Sequence, residues 1–218
     1  MAYDKCTDVS EEIWKEFEDR KPGEITGRTG VLYREGGYHL PFLNRTLLLF
    51  PARRQVQVAG GPEAEPGFRL CLTALMYLLH LDPAGLGPGI SPLELPGGAT
   101  FFRGHHGVPA GPLEERFGRD APGFVAAGKK LQGEVRPAGD AAVALQVFPG
   151  LVVEVILWQA DDEFPAHVSF TLPAHLDRFW FLDAVWGLLN LVAQELLAAV
   201  VCDKPVCDQA MRGWLSQI

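Results

Sequence analysis

The chain has 218 residues, of which 48% are hydrophobic and 21% charged, as in an ordinary globular protein. Its formal net charge of −8 argues against sequence-independent binding to nucleic acid, because phosphate binding requires a surplus or a cluster of Lys and Arg. Basic residues occur at most in pairs such as Arg53-Arg54 and Lys129-Lys130. We therefore expect no nucleic-acid partner.

The N-terminal residues 1–20 are charged throughout and contain no apolar stretch of the kind that forms a signal peptide. The four cysteines, Cys6, Cys71, Cys202 and Cys207, are scattered along the sequence. This pattern predicts a cytoplasmic protein with reduced cysteines that bind no metal, and it predicts that the side chain of Cys71 lies in the core.

Residues 10–20 predict a short helix, because Ser10 can cap it and apolar residues recur along one side. Pro22-Gly23 is expected to end that helix. Residues 1–29 are accordingly predicted to be a helical arm on a main body of residues 30–218.

Short extended segments follow, and turn residues such as Gly36-Gly37 separate them. They predict an antiparallel meander over residues 31–34, 38–43, 46–50 and 55–58. Residues 68–81 are apolar on all sides and predict a buried helix. Residues 83–98 are rich in Pro and Gly, which is typical of long irregular loops with a functional role.

Residues 99–103 are predicted to be extended and to lead into a corner that contains two adjacent histidines. Pro112 fits the first turn of a short helix that ends near Gly118. Asp120 can cap the next helix, which has Lys129 and Lys130 in its last turn.

The alternating residues 141–148 and 151–158 flank Pro149-Gly150, which fits the centre of a type II turn, and they predict a hairpin. Residues 166–172 predict one more strand. The apolar residues 181–201 are long enough to span a bilayer, but they contain Asp183 and Glu195, so we expect a helix packed on the sheet and no membrane span. Together these elements predict a single α+β domain with a mainly antiparallel sheet and helices packed on one face.

Three segments of the sequence, "LPGGATFFRG", "HGVPAGPLEERFGRD" and "GDAAVALQVFPGLVVEVILWQADDEFPAHVSF", resemble the bacterial and archaeal family catalogued as domain of unknown function 3786. The resemblance runs from Leu70 to the final helix. It implies no known activity and therefore no catalytic residues. Some members are fused to a cysteine-rich iron–sulfur segment and occur in anaerobes, which implies an iron–sulfur or other redox protein as partner. This chain itself has no ferredoxin-like run of cysteines.

The adjacent residues His105 and His106, together with Phe102 and Arg103, are the first candidate ligand-binding site. Imidazole can bind a metal ion or transfer a proton near neutral pH, so the two histidines are the candidates for metal binding. The structural alternative is a turn in which one histidine bonds to loop carbonyls and the other lies in solvent.

The second candidate site is the acidic turn Asp161, Asp162 and Glu163, whose carboxylates could bind a hard cation or act as a base. Its structural alternative is a solvated turn, because Asp is favoured in turns by local hydrogen bonds.

Two functions remain open. The first is a soluble, non-catalytic accessory protein of anaerobic metabolism that binds a cofactor, a metal or a redox partner through residues 83–111 and nearby aromatic side chains. The second is an enzyme that uses His105 or His106 as acid, base or metal ligand together with the carboxylates of Asp161–Glu163. The sequence contains no motif that identifies a nucleophile, a nucleotide site or a specific cofactor.

Overall fold

Two antiparallel sheets and a layer of helices form the fold. The computed structural model describes residues 5–61 and 66–201. The first sheet has the strand order β1-β2-β3-β4, so each strand pairs with the next along the chain and the predicted meander is confirmed. The elements up to this point are α1 (Glu11–Asp19), α2 (Pro22–Thr29), β1 (Leu32–Arg34), β2 (Gly37–Phe42), β3 (Arg45–Phe50) and β4 (Gln55–Val58).

The N-terminal helices differ from the prediction at one point. The hydroxyl of Ser10 accepts a hydrogen bond from the backbone N–H of Ile13 and caps α1 as expected. Helix α1 ends at Asp19, before Pro22, as expected, but the sequence did not predict that Pro22 begins a second helix, α2. Proline suits the first turn of a helix, where the N–H that it lacks would have no partner within the helix. Gly30 ends α2 with a φ of 69°.

The second sheet has the order β5-β9-β8-β7-β6, and all of its neighbouring strands are antiparallel. The predicted hairpin and its central return strand, β8, are confirmed, and Gly150 in the turn has a φ of 74°. The α+β fold with mainly antiparallel strands is therefore confirmed. The elements of this part are α3 (Phe68–His80), β5 (Gly89–Ile90), α4 (Gly98–Phe101), α5 (Gly111–Phe117), α6 (Ala121–Lys130), β6 (Glu134–Arg136), β7 (Ala141–Phe148), β8 (Leu151–Trp158), β9 (His167–Pro173) and α7 (Leu182–Val201).

The prediction of an extended segment over residues 99–103 is wrong, because this part of the chain forms the short helix α4. Gly97 adopts a φ of 79° and turns the chain, and its carbonyl oxygen accepts hydrogen bonds from the backbone N–H groups of Thr100 and Phe101. A second, 3₁₀ turn follows over Gly104–His106. The two histidines therefore do not alternate along a strand.

The core lies between the second sheet and the helices and continues into the first sheet through buried side chains of β2 and β3. The side chains that face the helices from the three central strands are apolar and buried, and each such burial stabilises the fold by about 1.5–3 kcal/mol. Helix α6 packs directly on β7, where a Cβ at Gly128 would lie only 2.5 Å from a methyl group of Val143. Helix α7 packs against both α3 and α6. The hydroxyl of Tyr77 in α3 donates to the carbonyl of Pro149 at 2.8 Å and ties this layer to the hairpin turn.

The turn between β2 and β3 of the first sheet contacts β7 of the second sheet. The backbone N–H of Leu43 donates to the carbonyl of Val147 at 3.3 Å. The guanidinium of Arg45 pairs with Glu195 of α7 at 2.5 Å and lies 5.0 Å above the ring of Phe42. One turn thereby joins the first sheet to the second sheet and to the last described helix.

Among the described residues, one stretch has the length and composition of a membrane span. It covers Leu182–Val200 in α7 and has a mean hydropathy of 1.3, and 56% of it is buried inside the protein. The apolar side predicted for this helix, including Leu188, Leu189 and Val192, is buried in the core.

A disulfide joins Cys6 to Cys71, so the prediction that both cysteines are reduced is wrong, although Cys71 does lie in the core. Sequence could not show this pairing, because the two residues are 65 positions apart. The backbone of Lys5 bridges to Gly67, and this contact brings the 3₁₀ turn after Lys5 onto the first turn of α3. Cys202 and Cys207 lie outside the described residues, and their reduced state stays a prediction.

We expect the double variant Cys6→Ala/Cys71→Ala to have a free energy of unfolding about 4 kcal/mol lower than the wild type, because the disulfide closes a long loop and restricts the unfolded chain. Denaturant unfolding with and without a thiol reductant measures this. The reductant should lower the midpoint of the wild type and leave the variant unchanged. Equal midpoints for the oxidised wild type and the variant would contradict the pairing.

Candidate functional site

The first candidate site is the His106 corner, formed by Phe101, Phe102, Arg103, His105 and His106. Gly104 turns the chain with a φ of 57°, and the backbone N–H of His106 donates to the carbonyl of Arg103 at 3.2 Å. A 3₁₀ turn has about three residues per turn, so the side chains of the adjacent histidines point in different directions and have different surroundings.

The imidazole of His106 lies over the start of α7. It stacks on the ring of Phe101 at 4.6 Å between centroids and meets the ring of Trp186 edge-on at 5.5 Å. Its Nε2 atom lies 3.9 Å from a carboxylate oxygen of Asp183. The indole N–H of Trp186 donates to the carbonyl of Gly107 at 3.1 Å. The corner is thus fixed to α7 by ring contacts and a hydrogen bond, and the imidazole of His106 lies close to the carboxylate of Asp183.

The other members of the corner divide into buried and exposed side chains. Phe102 is buried and packs edge-on against Phe101. Arg103 and His105 are exposed, and within the described part of the chain neither side chain has a polar partner. The structure therefore brings His106 together with aromatic rings and a carboxylate, and it leaves His105 in solvent.

The second candidate site is an open cleft of about 770 Å³, here called the acidic cleft, at one end of the second sheet. The turn between β8 and β9 forms one wall, and α5 with the start of α6 forms the other. Carboxylates outnumber guanidinium groups six to two in its lining. The lining residues are Gly111, Glu114, Glu115, Arg116, Gly118, Arg119, Asp120, Ala160, Asp161, Asp162, Glu163, Phe164, Pro165 and Ala166.

Asp161 holds the acidic turn together. One oxygen of its carboxylate accepts hydrogen bonds from the backbone N–H groups of Phe164 at 2.7 Å and Glu163 at 2.8 Å. These bonds from Phe164 and Glu163 hold the pKa of the Asp161 carboxyl below its usual range. The carboxylate of Asp161 therefore has a structural task, as local hydrogen bonding in turns predicts.

Two more carboxylates of the cleft are occupied by the protein itself. Asp120 caps α6 through the backbone N–H of Gly123 at 2.9 Å and pairs with Arg116, and both interactions lower the pKa of its carboxyl. Glu114 accepts a hydrogen bond from the backbone N–H of Val168 at 2.9 Å. These contacts fix α5 and α6 to each other and to β9.

The remaining charged groups of the cleft are available to a ligand. The side chains of Asp162, Glu163 and Glu115 are without a hydrogen bond or ion pair to any described residue, and the same holds for Arg119. Phe164, at the same turn, is 66% exposed. The structure thus separates the predicted acidic turn into one structural carboxylate and two free ones.

Residues of α5 complete the cleft, and sequence reasoning did not assign them to a site. Glu114, Glu115 and Arg116 of α5 and Arg119 just after it belong to the segment "PLEERFGRD", which was predicted to form a short helix and which is part of the family resemblance. The high density of charged residues in this segment was the feature of the sequence that could have indicated a site here. Its proximity to the acidic turn depends on the contact between α5 and β9 and is not visible in the sequence.

No described contact joins the histidines to the acidic turn. His106 pairs with Asp183, whereas the acidic cleft is lined by α5, the start of α6 and the β8–β9 turn. The histidine beside the cleft is His167, which lies 3.6 Å from Glu114 and stacks on Trp158. Among residues 5–61 and 66–201, no three His, Cys, Asp or Glu side chains come together as a metal-binding group.

We expect Asp161→Ala to open the acidic turn, because two backbone N–H groups lose their acceptor. Amide exchange followed by NMR should be faster at Glu163 and Phe164 in this variant, whereas Asp162→Ala should leave both rates unchanged. Since the pKa of Asp161 is lowered in the folded state, its carboxylate stabilises the fold fully above the usual pKa of an aspartate. This stabilisation is lost as the pH falls through the lowered pKa. Unchanged exchange in Asp161→Ala would refute this role.

The neighbouring histidines provide a matched pair for the corner. We expect His106→Ala to lower the free energy of unfolding by about 1 kcal/mol, because it removes two ring contacts. His105→Ala should change it by less than about 0.5 kcal/mol, as is usual for an exposed residue. Chemical denaturation measures both, and equal effects of the two substitutions would contradict the observed packing.

Comparison with known proteins gives one match. No curated protein and no solved structure matches the chain. A family model described as "Domain of unknown function (DUF3786)" matches residues 21–195, which include both sheets, the His106 corner and the acidic cleft. This match confirms the resemblance seen in the sequence, and the chain therefore belongs to the DUF3786 family.

Proposed function

We propose that the protein is a soluble, non-catalytic accessory protein that binds a partner protein through the acidic cleft. The observation that carries the proposal is the set of free carboxylates of Asp162, Glu163 and Glu115 around the exposed ring of Phe164. The redox setting implied by the family resemblance makes an iron–sulfur or other redox protein of anaerobic metabolism the expected partner.

The charge of the cleft favours a partner with exposed Lys or Arg side chains. Rim charges that face an opposite charge across an interface accelerate association and set its orientation. The free carboxylates of Asp162 and Glu163 lie on a turn that Asp161 holds in place, so this turn is ordered before a partner binds, and little conformational entropy of the backbone is lost on binding.

The shape of the cleft also favours a protein over a small molecule. Sites for small molecules are usually enclosed and mostly apolar, with a few polar groups. The acidic cleft is open and lined by many charged side chains, and its exposed aromatic ring resembles the rings that anchor protein interfaces.

A lysine-rich peptide tests the electrostatic part of the proposal. We expect hexalysine to bind the wild type in calorimetry at low salt, and Asp162→Asn/Glu163→Gln to weaken this binding by about threefold to tenfold, because each rim charge contributes up to about 1 kcal/mol. Both substituted carboxylates lie outside the structural bonds of the turn, so the variant should fold normally.

The control is Glu12→Gln/Asp19→Asn, which changes the net charge by the same amount at exposed positions of α1. This variant should bind hexalysine as the wild type does. Equal weakening in both variants would show that the peptide senses only net charge, and the proposed binding surface would then be wrong.

A further inference from the structure

A histidine of the second sheet lies beside the acidic cleft and is not used by the proposed function. His167 is the first residue of β9 and directly follows Pro165 and Ala166, which line the cleft. Its Nδ1 atom lies 3.6 Å from a carboxylate oxygen of Glu114, another lining residue, and 67% of its side chain is exposed. A partner bound in the cleft is therefore close to an imidazole that can exchange a proton with solvent.

Two neighbours hold this part of the cleft in place. His167 is opposite Trp158 in the register of β8 and β9, and the two rings stack at 5.5 Å between centroids. The carboxylate of Glu114 is fixed independently, because it accepts a hydrogen bond from the backbone N–H of Val168 at 2.9 Å. A charge on His167 therefore arises at a defined position next to Glu114.

The charged groups of the segments around His167 are mostly negative. β8 contributes the uncharged ring of Trp158, and the carboxylate of Asp140, before β7, accepts a hydrogen bond from the backbone N–H of Gln159 at 2.7 Å. A neutral imidazole leaves these surroundings negative, and a protonated one offsets part of their charge. The charged groups on the side of the cleft are Glu114, Glu115, Arg116, Arg119, Asp120, Asp161, Asp162 and Glu163.

His167 is the group beside the cleft whose charge can change near neutral pH. Histidine in general gains its proton between about pH 8 and 5, whereas aspartate, glutamate and arginine keep their charges there. The other histidines with a carboxylate neighbour, His80 and His106, contact Glu16 and Asp183, which do not line the cleft. In this pH range the charge at the cleft therefore depends on the proton of His167.

We propose that His167 makes binding at the acidic cleft depend on pH, because the neutral imidazole permits a lysine- or arginine-rich partner to bind and the protonated one weakens its binding. The inference rests on the proposed function, since it requires a basic partner in the cleft. Protonated His167 pairs with Glu114 and places a positive charge beside the carboxylates that attract the partner. The same charge repels the ammonium or guanidinium groups of the partner, so a fall in pH favours its release.

Calorimetry at pH 8 and at pH 5.5, at one low salt concentration, tests this inference. The probe is hexalysine with an acetylated N-terminus and an amidated C-terminus, because its charge is the same at both pH values. We expect the wild type to bind this peptide about twofold to fivefold more weakly at pH 5.5, which is the effect of one exposed ion pair.

Two substitutions fix the charge at position 167. His167→Gln is neutral at both pH values and should bind the peptide at both as the wild type does at pH 8. His167→Lys is charged at both and should bind as the wild type does at pH 5.5. The side chain of His167 is mostly exposed, so both variants should fold normally. His105→Gln is the matched control, because it removes an exposed histidine that does not line the cleft, and it should keep the pH dependence of the wild type.

The outcomes separate this inference from the proposed function. Equal pH dependence in His167→Gln and the wild type, or wild-type binding that does not change with pH, would overturn the role of His167. The proposed binding surface would still stand in that case if Asp162→Asn/Glu163→Gln weakened binding. Absence of peptide binding to the wild type at both pH values would overturn the proposed function, and this inference with it.

Discussion

The structure depends on the burial of one face of the five-stranded sheet under the helical layer. Valine, leucine and phenylalanine side chains of β7, β8 and β9 supply that face, and α6 approaches it so closely that only glycine fits at position 128. Removing this face from water is the main favourable contribution to folding. The first sheet adds buried side chains of β2 and β3 to the same core.

The two candidate sites relate to this layer in different ways. At the His106 corner, the polar and aromatic groups mostly contact one another: His106 meets Asp183 and two rings, and Trp186 bonds to Gly107. The corner therefore works as a joint that fixes a long connection to α7. In the acidic cleft, by contrast, structural hydrogen bonds occupy Asp161 and leave Asp162 and Glu163 facing solvent. This difference is why we base the proposed function on the cleft.

Local sequence patterns predicted most of the fold. The alternation along β7 and β8 with Pro149-Gly150 between them predicted the hairpin, and Asp120 predicted the start of α6, because such signals act over a few neighbouring residues. The failures at Pro22 and at residues 99–103 have one cause. At each place the local sequence was compatible with two conformations, and tertiary contacts and backbone hydrogen bonds selected between them.

The site was predicted less completely than the fold for a related reason. The acidic turn was recognised from three consecutive carboxylates, but the opposite wall of the cleft, with Glu115 of α5 and Arg119 in the turn after it, lies more than forty positions earlier in the chain. The disulfide has the same origin, since a single backbone bridge between Lys5 and Gly67 aligns two distant cysteines. Contacts between distant segments leave no periodicity that sequence reasoning can use.

The disulfide also determines how the chain responds to a protease. The covalent loop from Cys6 to Cys71 encloses α1, α2 and all four strands of the first sheet. A single cut within this loop leaves both fragments in one covalent molecule, so such a cut changes the apparent mass only after reduction. A nicked form of the protein would pass unnoticed on a non-reducing gel.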